Sequence, residues 1–265
     1  MKKVFYLFKV SFEKAIKELI RYKFNTISDI LSLYVLFMAM FLGMKFFGLS
    51  MDVSPVNLGD TLEGFVAGYF LWTIMLMAYS DTANNVINDA SRGTLEQISM
   101  SNLGLYNVLF VRSICNLIIN LLVCFIILFI IMFTTGYWLN INVASLLIII
   151  FIGIFSILGI SFIFAGLALI FKKVQSMLNI IQYFLLGLVI PPLSAFSDTV
   201  SALLPFRKAI EEVFKITMGG ISFMDFSIGE YLVMIGNSLA YFIIGLLIFK
   251  LCSHIAKKKG LLGQY

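Results

Sequence analysis

The chain has 265 residues, is 61% hydrophobic and only 12% charged, and has a mean hydropathy of +1.02. A soluble domain of this size carries roughly 25% charged residues, so too little polar surface remains to cover a water-soluble globule. The formal net charge of +5 follows the loops between apolar segments, which makes it a topology signal and leaves no basis for a nucleic-acid partner.

Residues 2–27 come first and read as an amphipathic interfacial helix. Val4, Phe8, Phe12, Ala15, Ile16 and Leu19 recur at helical spacing, while Lys9, Glu13, Lys17 and Arg21 occupy the other faces. Such a helix lies in the membrane interface with its lysines near anionic head groups. It serves either as a plain anchor or as an elbow that also touches a partner.

A membrane helix needs about 20 mostly apolar residues to cross roughly 30 Å of hydrocarbon. Segments of that kind run near 29–48, 62–83, 109–134, 145–171, 176–196 and 231–251. The first starts after a long charged segment and is too long for a signal-peptide core, so it is expected to stay as a span. Gly153, Gly159, Ser161 and Gly166 are the small residues that let membrane helices approach closely. The expected fold is an all-α integral membrane protein with six transmembrane helices in a single domain, 1–265.

Basic residues orient it. Of the 19, 15 fall on one side: the amino-terminal segment, Arg92 and Arg112, Lys172 and Lys173, and the tail with Lys250 and Lys257 to Lys259. Both termini are therefore expected in the cytoplasm. Asp52, Asp60, Glu63, Asp198, Glu211, Glu212, Asp225 and Glu230 would face out.

Between the second and third spans, residues 84–107 are too polar for lipid and read as a cytoplasmic loop with a short helix and a turn at Gly93. Between the fifth and sixth, residues 197–230 form an external cap. Ile190-Pro191-Pro192 breaks the end of the fifth span, and Pro205 can start a helix. Phe206, Ile210, Val213, Phe214 and Thr217 then share one face. Arg207–Glu211, Lys208–Glu212 and Glu211–Lys215 are i,i+4 pairs on the other. Short external helices, re-entrant or solvated, are expected here.

Several chemistries have no carrier. The chain has no phosphate-binding G-x-x-x-x-G-K-[ST] loop, no H-E-x-x-H and no G-x-S-x-G. Cys115, Cys124, Cys252 and the single His254 show no metal-ligand spacing. The ionisable groups of the spans, Asp29, Lys45, Asp81, Arg112 and Lys250, fall at their ends, which leaves no obvious proton relay. Neither an enzyme nor a metal or cofactor bound by this chain is expected, and a transporter of this sequence needs energy from another chain.

The stretch Asn88-Asp89-Ala90-Ser91-Arg92-Gly93-Thr94-Leu95-Glu96-Gln97-Ile98 resembles the segment after the second span in permeases of type-2 ABC exporters. The amphipathic start, six spans, the prolines at Pro191-Pro192 and in Leu204-Pro205-Phe206, and the basic tail are similar too. That family often has leucines and a proline after the glutamine, whereas Ile98-Ser99-Met100-Ser101-Asn102 has none. The resemblance implies a permease in a bacterial cytoplasmic membrane, working with a second copy or paralogue. Two cytoplasmic ATPase subunits would hold the ATP and Mg. Asp89, Arg92, Gly93, Thr94, Glu96 and Gln97 would form a coupling helix on the ATPase, with Arg92 and Glu96 on one face. It also implies a substrate path near the first, second and fifth spans, with Trp72, Met75, Tyr79, Asn179, Gln182 and Tyr183 as its candidates. Their mix of apolar and amide groups suits an amphipathic or lipophilic cargo such as a drug, peptide or lipid-linked molecule. An alternative of another class is a non-transporting immunity or sensor protein that binds a toxin or partner at its outer face.

Overall fold

Apolar residues fill the long segments too densely for a one-sided stripe, so each helix can meet a neighbour or lipid on any face. A computed structural model describes residues 2–50, 55–171, 174–189 and 197–260, without the side chains of 2, 47–50 and 55–61. The described residues form helices α1 (Lys2–Arg21), α2 (Lys23–Ser50), α3 (Pro55–Ser91), α4 (Thr94–Met100), α5 (Gly104–Thr135), α6 (Val143–Ile170), α7 (Gln175–Val189), α8 (Asp198–Leu203), α9 (Arg207–Gly219) and α10 (Ile228–Lys258). A 3-10 turn, Phe223–Asp225, precedes α10. The chain is all-α, and five helices are long and apolar enough to cross a membrane: Lys23–Phe46, Leu62–Ser91, Gly104–Thr135, Val143–Ile170 and Ile228–Lys258.

The described part of the expected fifth span is α7, 15 residues long, and its remaining residues, 190–196, lie outside the described residues. The expected break at Ile190-Pro191-Pro192 lies outside the described residues, as do Asp52, Lys172 and Lys173. The amino-terminal helix is also shorter than 2–27, because the chain turns at Tyr22 and α2 begins at Lys23.

The most extensive helix pairing joins α6 to α10. Gly159 and Gly166 are seven residues apart and meet Gly245 and Cys252, also seven apart, so the two helices run parallel in near-coiled-coil register. A Cβ at Gly159 would lie 2.3 Å from the Tyr241 carbonyl oxygen, and one at Gly245 would lie 2.1 Å from the Gly159 carbonyl oxygen. Phe242 packs edge-on against Phe155 and Phe162 beside this crossing. Helix α2, in contrast, keeps most of its surface exposed and touches α3 through Phe37 and Phe41.

Residues 84–107 differ most from expectation. Helix α3 does not stop at 83 but runs on to Ser91, and α5 begins already at Gly104. Of the polar residues that suggested a loop, Asp89 instead joins a polar seam between two helices. Asp81, Asn85 and Asp89 recur every four residues on α3, and Arg112, Asn116 and Asn120 do so on α5. The Asn120 amide donates to Asp81 at 2.6 Å, and Arg112 pairs with Asp89 at 2.6 Å. Between them, the Thr82 and Ser113 hydroxyls are 2.8 Å apart.

At the opposite end, α8 and α9 turn back into the bundle. Phe206 and Ala209 pack on Gly153, where a Cβ would lie 2.4 Å from that of Ala209. Gly153 is ten residues into α6, about 15 Å from its start. The other end of α9 returns to that start, where the Thr217 carbonyl accepts from the Asn140 amide at 3.2 Å. The turn into α9 holds Phe206 at a φ of 63°. This left-handed conformation strains a residue with a Cβ and persists where surrounding packing enforces it.

Buried backbone must have hydrogen-bond partners. At the α8 end they come from α10. The Asn237 amide donates to the carbonyls of Ala202, Leu203 and Leu204 at 2.7, 3.2 and 3.2 Å, and the Tyr241 hydroxyl donates to Leu203 at 3.0 Å. Asn237→Leu keeps the volume and removes the three amide bonds, leaving only the Tyr241 hydroxyl to Leu203 among those named. It is expected to destabilise the purified protein by about 2–3 kcal/mol, read as a lower midpoint of heat-induced aggregation.

The charges of α9 were expected opposite its apolar face, on a cap left open as re-entrant or solvated. Arg207 is 0% and Glu212 1% exposed, and the helix packs on α3, α6 and α10. The charges survive burial by pairing. Arg207 meets Glu211 at 3.6 Å, and Lys208 reaches Glu211 and Glu212 at 3.1 and 3.5 Å. Lys215 bridges Glu212 at 3.1 Å and Glu230 of α10 at 2.9 Å. The Lys208–Glu212 and Arg207–Glu211 pairings are the expected ones; Lys215 pairs with Glu212 rather than at the expected i,i+4 spacing. Burial pushes the Glu212 carboxyl above the ordinary carboxylate value, more than Lys215 and Lys208 pull it down.

Candidate functional site

The α3–α4 turn is built from local rules. Ser91 ends α3, Arg92 and Gly93 form the turn, and Gly93 adopts a φ of 68° that glycine takes without a Cβ penalty. Helix α4 is then pinned by Leu95, which is fully buried. The chain returns to α5 without the family's proline. The Ser101 hydroxyl donates to the Ile98 carbonyl at 2.7 Å, and the Gly104 amide donates to Ser101 at 3.0 Å, with Gly104 also at positive φ.

The six residues expected to contact a partner divide into two sets. Asp89 is buried, and its carboxylate accepts from Arg112 at 2.6 Å and from the Thr94 hydroxyl at 3.1 Å. Asp89 and Thr94 therefore hold the turn together from within. Arg92, Gly93, Glu96 and Gln97 are exposed. Arg92 and Glu96 do not share one helical face, because Arg92 precedes the Gly93 turn and Glu96 follows it inside α4. A helix cannot continue through that left-handed residue.

Helix α1 supplies what the sequence reading did not place at this site. It packs along α5, with the Cys115 thiol directed at the Phe8 carbonyl at 3.6 Å. Its charged face then meets Arg92. Val10, Glu13, Lys14, Lys17, Glu18, Arg21, Tyr22 and Arg92 line one open groove of about 520 Å³. Lys17 bonds Glu13 at 2.7 Å, and Lys14 approaches Glu18 at 3.6 Å. The hydrogen bond from Lys17 holds the Glu13 carboxyl below its ordinary value. The charged spacing on α1 was visible in sequence, but its meeting with Arg92, some 70 residues or more along the chain, had no local signal. Beyond the groove, Phe5, Tyr6, Ile20 and Phe24 expose apolar rings and chains on and next to α1, the pattern of a helix that lies in a membrane interface.

The six expected path residues divide as well. Trp72, Met75 and Tyr79 are buried in α3. The Trp72 indole N–H points to the Gln182 carbonyl at 3.5 Å, and the Tyr79 hydroxyl donates to the Leu178 carbonyl at 3.1 Å. Trp72 and Tyr79 thus bond across the α3–α7 seam. Asn179 and Tyr183 are exposed on the far side of α7, and Gln182 is half-buried.

Chemically, the groove offers fixed charges of both signs beside a rigid turn, which suits docking of a protein partner and holds no nucleophile–base arrangement. No family model matches this chain, and no curated protein matches it.

Proposed function

We propose that this chain is the membrane-spanning subunit of an ATP-driven exporter of the type-2 ABC kind, working in a bacterial plasma membrane. Six spans, with α7 as the fifth, place both termini in the cytoplasm. Two ATPase subunits, which bind the ATP and Mg, dock from below, and a second permease copy or paralogue completes the path. The cargo is amphipathic or lipophilic.

The observation that carries this reading is the groove shared by α1 and Arg92, next to the exposed Glu96 and Gln97 of α4. Charges on short, well-anchored helices set register with a partner without a permanently sticky apolar face. Asp89 of α3 pairs with Arg112 of α5 and also holds Thr94 at the start of α4, and α3 runs unbroken from the turn into the membrane region, so a push at α4 moves whole spans. The exposed amide of Asn179 and phenol of Tyr183 on α7 suit a face that meets a path or second subunit rather than acyl chains.

The test is co-purification with candidate ATPase subunits in mild detergent, for wild type and for Arg92→Glu combined with Glu96→Arg. The exchange preserves net charge while inverting the pattern. Recovery of the complex is expected to fall at least about tenfold, because like charges then face each other. Unchanged recovery and unchanged vanadate-sensitive ATP turnover would remove the coupling role from these residues. Failure of any ATPase to bind would favour the immunity or sensor alternative.

A further inference from the structure

The deep end of α9 reaches α7 through Arg207. Arg207 is fully buried, and its Nη1 donates to the Leu188 carbonyl at 2.5 Å. Leu188 lies one residue before the last described residue of α7, and the residue four positions on is Pro192, which has no N–H to offer its carbonyl. The guanidinium supplies a donor there. The same side chain is held from its own helix by Glu211 at 3.6 Å. Val189 of α7 also packs toward Gly68 of α3, where a Cβ would lie 3.1 Å from it, with Phe214 of α9 at 3.6 Å. The end of α7 is thus clasped where α3 and α9 meet.

We infer that Arg207 is a latch that ties α7 to the α8–α9 segment, so that displacement of α7 unseats this segment as an outer plug. Four observations converge on it. The described part of α7 ends inside the bundle, level with the Gly68 region of α3. The α8–α9 turn reaches about 15 Å down α6 and is strained at Phe206, so its seated position is enforced from outside. The contacts of the turn with α10, through Asn237 and Tyr241, go to carbonyls of residues 202–204, while Arg207 at the start of α9 reaches α7. Helix α7 bears the exposed Asn179 and Tyr183, so a cargo or partner on that face acts on the same helix the latch holds. Arg207 is a positioning residue: it acts through α7 and the plug and touches no cargo.

The link to cargo and ATP rests on the exporter reading; the latch between α7 and the plug does not. The test separates them. Ser201, 2% exposed in α8, is replaced by Ser201→Cys as a reporter of seating. The native Cys115, Cys124 and Cys252 are buried, which keeps background labelling by a membrane-impermeant maleimide low. In cells carrying the full chain, labelling from outside is expected to be slow with Arg207 present. Arg207→Gln is expected to raise its rate at least about tenfold, the fold-change for losing a buried charged hydrogen bond. Arg207→Lys keeps a cation and is expected to fall between them, a rescue that loss of fold would not produce. Should Arg207→Gln fail to accumulate, Arg207→Gln with Glu211→Gln removes both charges and is expected to label as fast. Equal rates in wild type and in the accumulating variants overturn the latch. Where an ATPase complex forms, vanadate trapping is expected to change the labelling rate only with Arg207 present. Absence of such a complex sinks the exporter reading and leaves the labelling comparison to decide the latch.

Discussion

Gly159→Val is expected to leave the chain unable to form its membrane core, with a loss of about 3 kcal/mol or more. The cause is geometric. The first carbon of any side chain at this position would sit 2.3 Å from the Tyr241 carbonyl oxygen, and backbone cannot rotate aside as a side chain tip can. Helices α6 and α10 would have to separate along their length, and Phe242 would lose its seat against Phe155 and Phe162. Gly245→Val meets the Gly159 backbone at 2.1 Å and should behave alike. Gly236→Ala is the control on the same helix: nothing lies within 4 Å of its added carbon, and Ala favours helix by up to about 1 kcal/mol. Size-exclusion profiles after stepwise heating check this. Gly159→Val running as a monodisperse peak to the wild-type temperature would refute the crossing described for α6 and α10.

Arg112→Ala is expected to uncouple rather than unfold. It leaves Asp89 half-shielded from water without its cation, a cost of about 1–2 kcal/mol once the partial exposure of the pair is allowed for. The loss falls on the α3–α4 turn, whose Thr94 hydroxyl also depends on Asp89. Amide hydrogen exchange over Thr94–Met100 is expected to quicken about tenfold, while α6 and α10 keep their protection. If the exporter reading holds, ATPase recovery drops with it. Asp89→Arg with Arg112→Asp restores the opposite charges and should recover part of the protection. Unchanged exchange over α4 in Arg112→Ala would show that Leu95 alone anchors that helix.

Span length and charge were legible because both are local properties of the chain. The apolar runs of α2, α3, α5, α6 and α10 announce themselves by length, and α1 by its 3.6-residue repeat. The turn at Gly93 was legible for the same reason, since only the residue type is needed. What failed was the assumption that polarity means solvent. Asp89 and Arg112 looked like a loop residue and a membrane edge, and Asp81 like the end of a span, yet with Asn120 they form the seam of two continued helices, through pairs 23 and 39 residues apart. The charges of α9 misled in the same way, because Arg207, Glu211 and Glu212 satisfy one another inside the bundle. Residue type reports the cost of burial; only the fold reports who offsets it. Asp89 shows the consequence for a site: the most conspicuous acid of residues 89–97 is their internal clamp.

The seating of α8 and α9 also dictates an order of assembly. Their charged segment is too polar to be handed sideways into lipid by the insertion machinery as a span of its own. Among the described residues, its carbonyls at Ala202, Leu203 and Leu204 accept from Asn237 and Tyr241, which are synthesised later, and Lys215 gains Glu230 as a second partner at the same stage. The nascent chain therefore carries this piece unsatisfied until the last helix arrives and closes over it. Quality-control proteases that recognise exposed polar backbone in the bilayer have their window at that moment, and completion of α10 ends it.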